Sequence, residues 1–228
     1  MSSAPVRTLT SPLLTHPVIV KTDKTLSTIV SIETLACHYH HGALRQALIS
    51  LALNHLTEGE RVEDLSVRGL AQEAGVSKGA PRRHFPTADH LIAAVADHGF
   101  SLLNKELADA VSLEDLGYRY VAFALQHRQL YRAMFFFPRE ELGRFPSLAR
   151  KAEAAYGYLI DQVRRHRSVH GSRRAAGGGI AEADAAIAAW GLVHGLADLV
   201  IQDLVSGLDR PEADERLRGM TAALVRGL

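Results

Sequence analysis

Residues 65–85 read LSVRGLAQEAGVSKGAPRRHF, and their register of small, apolar, glycine and basic positions decides the fold. Ser66 is a good N-cap, and Val67, Leu70, Ala71 and Ala74 recur at helical spacing, so a short helix with one buried face is expected up to about Ala74. Gly75 ends it, because glycine alone takes the left-handed backbone of a helix C-terminus at no steric cost. Val76 then tucks into the angle, and Ser77 offers a cap for the next helix. Small Ala71 lies four residues before Gly75, and the next apolar position after Val76 is Pro81. That is the spacing of a helix-turn-helix, in which two helices cross closely only over a small residue and a free turn.

Pro81 sharpens the second helix. It lacks an N–H and is tolerated only in a first turn, so the regular helix is expected to start near Ala80. Ser77 to Ala80 then form a turn whose Gly79 lets a ligand approach the backbone. Arg68, Lys78, Arg82 and Arg83 stand against Glu73, a local net of +3, with His84 also available. Phosphate is the natural partner of such a cluster at a helix start. The candidate duplex-contacting residues are therefore Ser66, Arg68, Ser77, Lys78 and Gly79, followed by Arg82, Arg83, His84 and Thr87.

Working outward, 228 residues with 47% hydrophobic content suffice for a sizeable core. Ala, Leu, Arg and Glu dominate, which points to an all-α chain. The formal net charge is only +1, so any nucleic-acid affinity comes from a local patch and is strongly salt-dependent. A single cysteine, Cys37, excludes an intramolecular disulfide. Residues 18–32 are interrupted by Lys21, Asp23 and Lys24, against a signal peptide or a membrane span, and a cytoplasmic location is expected.

Residues 1–36 read as a flexible N-terminal extension with, at most, a marginal hairpin. Cys37, His38, His40 and His41 are metal-ligand types at poor spacing, and no metal or cofactor is expected. From 42 to 56, Leu44, Ala47, Leu48, Leu51, Ala52 and His55 keep helical spacing, giving the helix that supports the pair above. Val62 plugs the connector TEGERVED into the same core. Thr87 is expected to cap a long helix to about Ala110.

YHHGALRQALI, the TEGE connector and SVRGLAQEAGVSKGAPRRHFPTADHL resemble the N-terminal domain of TetR-family transcriptional regulators over residues 39–100. Arg82 stands where that family commonly has Tyr, and Ala88 where it often has Lys. The later run AWGLVHGLADL resembles the C-terminal module of a subset with a Trp, His, Gly signature. The resemblance implies a duplex DNA operator, a homodimer formed by the C-terminal helices, and a small-molecule effector in a cavity among them.

Downstream, Ser112 with Asp115 opens a helix striped by Leu116, Tyr120, Phe123 and Ala124; HRQLYRAMFFF comes next, then a helix from Pro146 to about Arg167. The stretch SVHGSRRAAGGGIAEAD, flanked and entered by Arg164, Arg165, Arg167, Arg173 and Arg174, reads as a flexible connector. Residues 183–205 are apolar over much of their circumference, and Pro211 starts a last helix with Leu217, Met220, Thr221 and Leu224 inward. So wide an apolar surface favours self-association. The candidate effector-binding residues are Tyr118, Phe123, Met134 and Phe135, with Tyr156, Leu159, Trp190 and His194, for each of which ordinary core packing is the competing role.

The expected organisation is thus an extension at 1–36, a three-helix helix-turn-helix domain at 37–86, and a helical-bundle effector and dimerisation domain at 87–228. No nucleophile, acid–base pair or metal constellation points to an enzyme, and His98, His127, His166 and His170 read as surface or helix-end residues. A ligand-independent architectural DNA-binding dimer and a helical small-molecule carrier remain open alternatives.

Overall fold

The computed structural model describes residues 41–170, 181–208 and 213–226. The extension at 1–36, Cys37, His38 and His40, the glycine-rich link with Arg173 and Arg174, and Pro211 lie outside the described residues. Eight α-helices make up the described chain: α1 His41–Thr57, α2 Val67–Glu73, α3 Ala88–Ala108, α4 Leu113–Gln126, α5 Arg128–Met134, α6 Pro146–His170, α7 Glu182–Ile201 and α8 Ala213–Arg226. Three short 3₁₀ turns join them, at Val62–Asp64, Ala80–Arg83 and Arg139–Arg144. The all-α expectation holds: no strand occurs among the described residues.

The helix starts follow their capping residues. Ser66 accepts from the Gly69 N–H at 3.3 Å. Ser112 accepts from Asp115 N–H at 3.1 Å, while the Asp115 carboxylate accepts from Val111 N–H at 3.1 Å, a reciprocal box set one residue earlier than the usual partner. Thr87 occupies the N-cap of α3 but caps no backbone N–H; its hydroxyl is 2.9 Å from Nδ1 of His90 instead. The structure also corrects the second helix of the pair. Ala80–Arg83 is a single 3₁₀ turn with Gly79 at its cap, and Ser77 provides only its carbonyl, to Ala80 N–H. Pro81 supplies no N–H to extend a regular helix backward and is itself buried, and Pro86 disfavours helical backbone at Phe85, so the turn is closed off on both sides.

One hydrophobic core runs through the molecule, from Leu44, Leu48 and Ala52 of α1 past Leu91, Val95 and Phe100 of α3 to Val193, Leu217 and Val225. Helix α3 is its axis and packs on α1, α4, α5 and α6. Its approach to α5 is close: a Cβ added at Gly99 would sit 2.7 Å from Cγ of Met134. Short α5 in turn packs on α1 and on the Val62–Asp64 turn. Helices α6 and α7 extend closer to the undescribed link than the sequence suggested, to His170 and from Glu182. His98 is half-buried and not a surface residue; burial, then the charges of Lys151 and Lys105, hold its pKa below the ordinary value.

Candidate functional site

The head is assembled from α1, α2 and the Ala80–Arg83 turn. Gly75 has φ +67°, and Val76 N–H closes the turn onto Ala71 O at 3.0 Å. Leu70, Ala71, Pro81 and Phe85 face inward, and the Arg45 guanidinium lies 5.6 Å from the Phe85 ring centroid. This inward set forces the polar set out. Ser66, Arg68, Ser77, Lys78, Gly79, Arg82, Arg83 and Thr87 are all exposed, and His84 is half-buried. Among the described residues, none of the four cations forms an ion pair with a carboxylate. Fixed positive charge beside a glycine turn is a surface suited to a polyanion.

The residues expected to bind an effector do not converge on one chamber. Four of them, Phe135, Tyr156, Trp190 and His194, meet in a cluster between α4, α5, α6 and α7, completed by Tyr120 and Tyr131. Both phenols reach the same imidazole nitrogen: Tyr120 Oη is 2.8 Å and Tyr131 Oη 2.7 Å from Nδ1 of His194, and the phenols are 3.1 Å apart. Nδ1 of a neutral imidazole carries either one lone pair or one N–H, so it exchanges one hydrogen bond with the pair of phenols, which share another between them. Burial pushes Tyr120 up to about 12 and raises Tyr131 as well. Burial lowers the pKa of His194 against the opposing charge of Asp198, whose carboxylate lies 3.9 Å from Nε2. The cluster is therefore a neutral hydrogen-bonded knot.

Tyr118 and Phe123 face elsewhere, into a groove of about 480 Å³ between α3, α4 and α8. Its base is Leu102, Ala122 and Phe123, with the His127 ring 4.8 Å from that of Phe123. Its rim is charged. Arg119 donates to Asp115 at 2.9 Å and to the Glu106 carbonyl at 3.2 Å, and Arg218 lies 3.6 Å over the Tyr118 ring. Tyr118 itself donates to Asp214 at 2.6 Å. Met134 is core against Gly99, and Leu159 lines a crevice of about 20 Å³ beside Gly117 and Val193. Sequence reading missed Tyr131 altogether and treated Tyr120 as plain core.

Helix α7 buries one face, through Ala186, Ala189, Val193 and Ala197, and leaves the other bare. Ile187 is 56% exposed, Leu192 42% and Leu199 45%, and a Cβ at Gly191 or Gly195 would meet nothing within 4 Å. Its length and apolarity would also suit a bilayer, but its buried face packs on α4, α6 and α8.

Residues 113–224 match the family described as tetracyclin repressor-like, C-terminal domain. A protein of unknown function from Rhodococcus sp. RHA1 is 30% identical, with a TM-score of 0.65 over 83% of this chain and 97% of that one. The same fold occurs in the TetR family transcriptional regulator PfmR from Thermus thermophilus, at 18% identity and a TM-score of 0.51 over 79% and 98%. It occurs too in NalD, the secondary repressor of the MexAB-OprM multidrug efflux pump in Pseudomonas aeruginosa, at 21% identity and 0.56 over 83% and 98%. No curated protein matches by sequence. The helical head and this C-terminal match define a transcriptional regulator of helix-turn-helix type. The chain belongs to the TetR family.

Proposed function

We propose that the protein is a homodimeric repressor, working in the cytoplasm, that binds a duplex DNA operator through residues 37–86 and releases it when a small, largely apolar effector binds within residues 87–228. The observation that carries this reading is the exposed set Arg68, Lys78, Arg82 and Arg83 around the Gly75 turn. Ser66, Ser77, Gly79, His84 and Thr87 border it and would add hydroxyl, imidazole and backbone contacts to phosphate. The bare apolar face of α7 supports pairing with a second copy, which would set two heads against half-sites about 34–36 Å apart. NalD, of the same fold, is a repressor.

For the effector, the groove with Tyr118 and Phe123 and the aromatic cluster with Phe135, Tyr156, Trp190 and His194 lie on neighbouring faces of α4, with Met134 and Leu159 packed beside them. A ligand that separates these rings would pull on α5 and α3, both of which touch the head. Binding then shifts the balance between two dimer states with different head spacing. The test is Arg82→Ala with Arg83→Ala: loss of duplex binding with dimerisation intact supports the regulator and excludes a carrier. The tight packing of the aromatic cluster favours one second reading, a DNA-binding dimer that answers to no ligand. A thermal-shift screen separates the two, since a ligand that raises the melting temperature and releases DNA excludes it.

A further inference from the structure

His55 lies in the last turn of α1, and both edges of its ring are occupied. Nδ1 meets the carboxylate of Glu60 in the connector, and Nε2 lies 2.7 Å from Oε2 of Glu73, the last residue of α2. A neutral imidazole has one N–H and one lone pair, so between two carboxylates one of its contacts sets lone pair against lone pair. Only the imidazolium donates at both nitrogens. We propose that the His55 imidazolium is a positioning residue for the DNA-reading head, bolting α2 to α1 and linking duplex binding to one bound proton.

Helix α2 leads directly into the Gly75 turn, so the angle between α1 and α2 sets where Lys78, Arg82 and Arg83 stand. Besides the bolt, α2 is held by its buried Leu70 and Ala71, with Val67 packed on the same core, and is only seven residues long. The Glu73 contact is its charged tie to α1, and it sits at the end of α2 that leads into the turn. Of the charged groups on neighbouring elements, Arg61 pairs with Glu63, and Arg132 of α5 acts on Glu63. Glu60 and then Glu73 raise the proton affinity of the ring, with burial opposing, while Asp89 and Asp97 of α3 pair with Arg144 and Lys151. The direction agrees with the geometry, and the side chain stays open enough to exchange its proton, being 30% exposed.

The DNA arm of the test rests on the regulatory reading above; the titration arm does not. In the full chain, nitrogen-detected NMR of the His55 ring should show both nitrogens protonated at neutral pH, with a midpoint above 6.5 that falls in Glu73→Gln. Anisotropy with a fluorescein-labelled random-sequence duplex in dilute salt should show affinity falling above that midpoint by at most about tenfold per pH unit, the limit for one linked proton. His55→Gln should bind more weakly at neutral pH and lose this part of the profile, and His55→Arg, with a permanent charge, should keep its affinity into the alkaline range. A ring singly protonated at neutral pH, or identical profiles for wild type and His55→Gln, would overturn the proposal. If no form binds duplex at any pH, the regulatory reading fails, and amide exchange of α2 decides the bolt alone: protection must drop as His55 deprotonates, and unchanged protection overturns it. Should His55→Gln not fold, the wild-type titration and Glu73→Gln carry the same decision.

Discussion

At the scale of single residues, the knot of Tyr120, Tyr131 and His194 joins three helices through one nitrogen. Tyr131→Phe removes a buried hydroxyl and leaves Tyr120 as the remaining partner of His194 Nδ1; the cost should be about 1–2 kcal/mol, measured by urea unfolding. The imidazole adds a pH dependence of definite sign. Burial holds His194 below its ordinary pKa, as it does His98 and His127, so the unfolded chain binds protons these sites refuse. Their contribution is fully present above the unfolded value of 6.5 and is lost as pH falls through it. Urea midpoints should therefore drop on mild acidification, and His194→Gln should reduce the slope. His55 carries the opposite sign, its affinity being raised: its share is whole below 6.5 and disappears on alkalinisation. Trp190 and His194 could be paired from sequence because they lie one helical turn apart. The phenols could not, since they reach His194 from 74 and 63 positions away. His55 was hidden differently: it keeps the periodicity of an apolar stripe, and its partners are recognisable only once α2 has folded back.

At the scale of elements, the Gly75 turn is the feature the local sequence specifies best. Nothing lies within 4 Å of a Cβ placed there, so Gly75→Ala tests backbone alone. Holding alanine at φ +67° should cost about 1 kcal/mol and weaken duplex binding without altering the dimer. Ser66→Ala should cost about 1 kcal/mol of head stability through the lost cap on Gly69. Both are read from thermal melts followed by anisotropy on a mixed-sequence duplex. Register, glycine and small residues are short-range signals, which is why α1, α2 and the start of α3 were legible. The length of the second helix was not, because Pro81 permits a helix start without dictating how far the helix runs. The single 3₁₀ turn that results keeps Arg82 and Arg83 next to the buried Pro81 and Phe85, giving their backbone a firm base.

At the scale of the whole molecule, α7 divides its surface between the core and solvent. On the proposed pairing through α7, Leu192→Glu with Leu199→Glu should give monomers in sedimentation while lowering the monomer's own melting only modestly, because both side chains are already close to half exposed. Duplex affinity should fall with the dimer, since two heads then act independently. That α7 carries more apolar surface than its own fold covers was readable from its composition. The separation of the effector candidates into a groove and a filled cluster was not, because periodicity assigns a residue to a face of its own helix and says nothing about which neighbour covers that face.

The contact of α5 with α1 and the Val62–Asp64 turn bears on how such a protein can be recombined. A chimera spliced at the proline after Phe85 would marry a foreign head to an α5 shaped for another, leaving Arg132 and Glu63 mismatched across the seam. Heads exchanged between relatives should keep their wild-type melting temperature only when the heptapeptide 128–134 travels with them, so the transferable unit is discontinuous in sequence though contiguous in space.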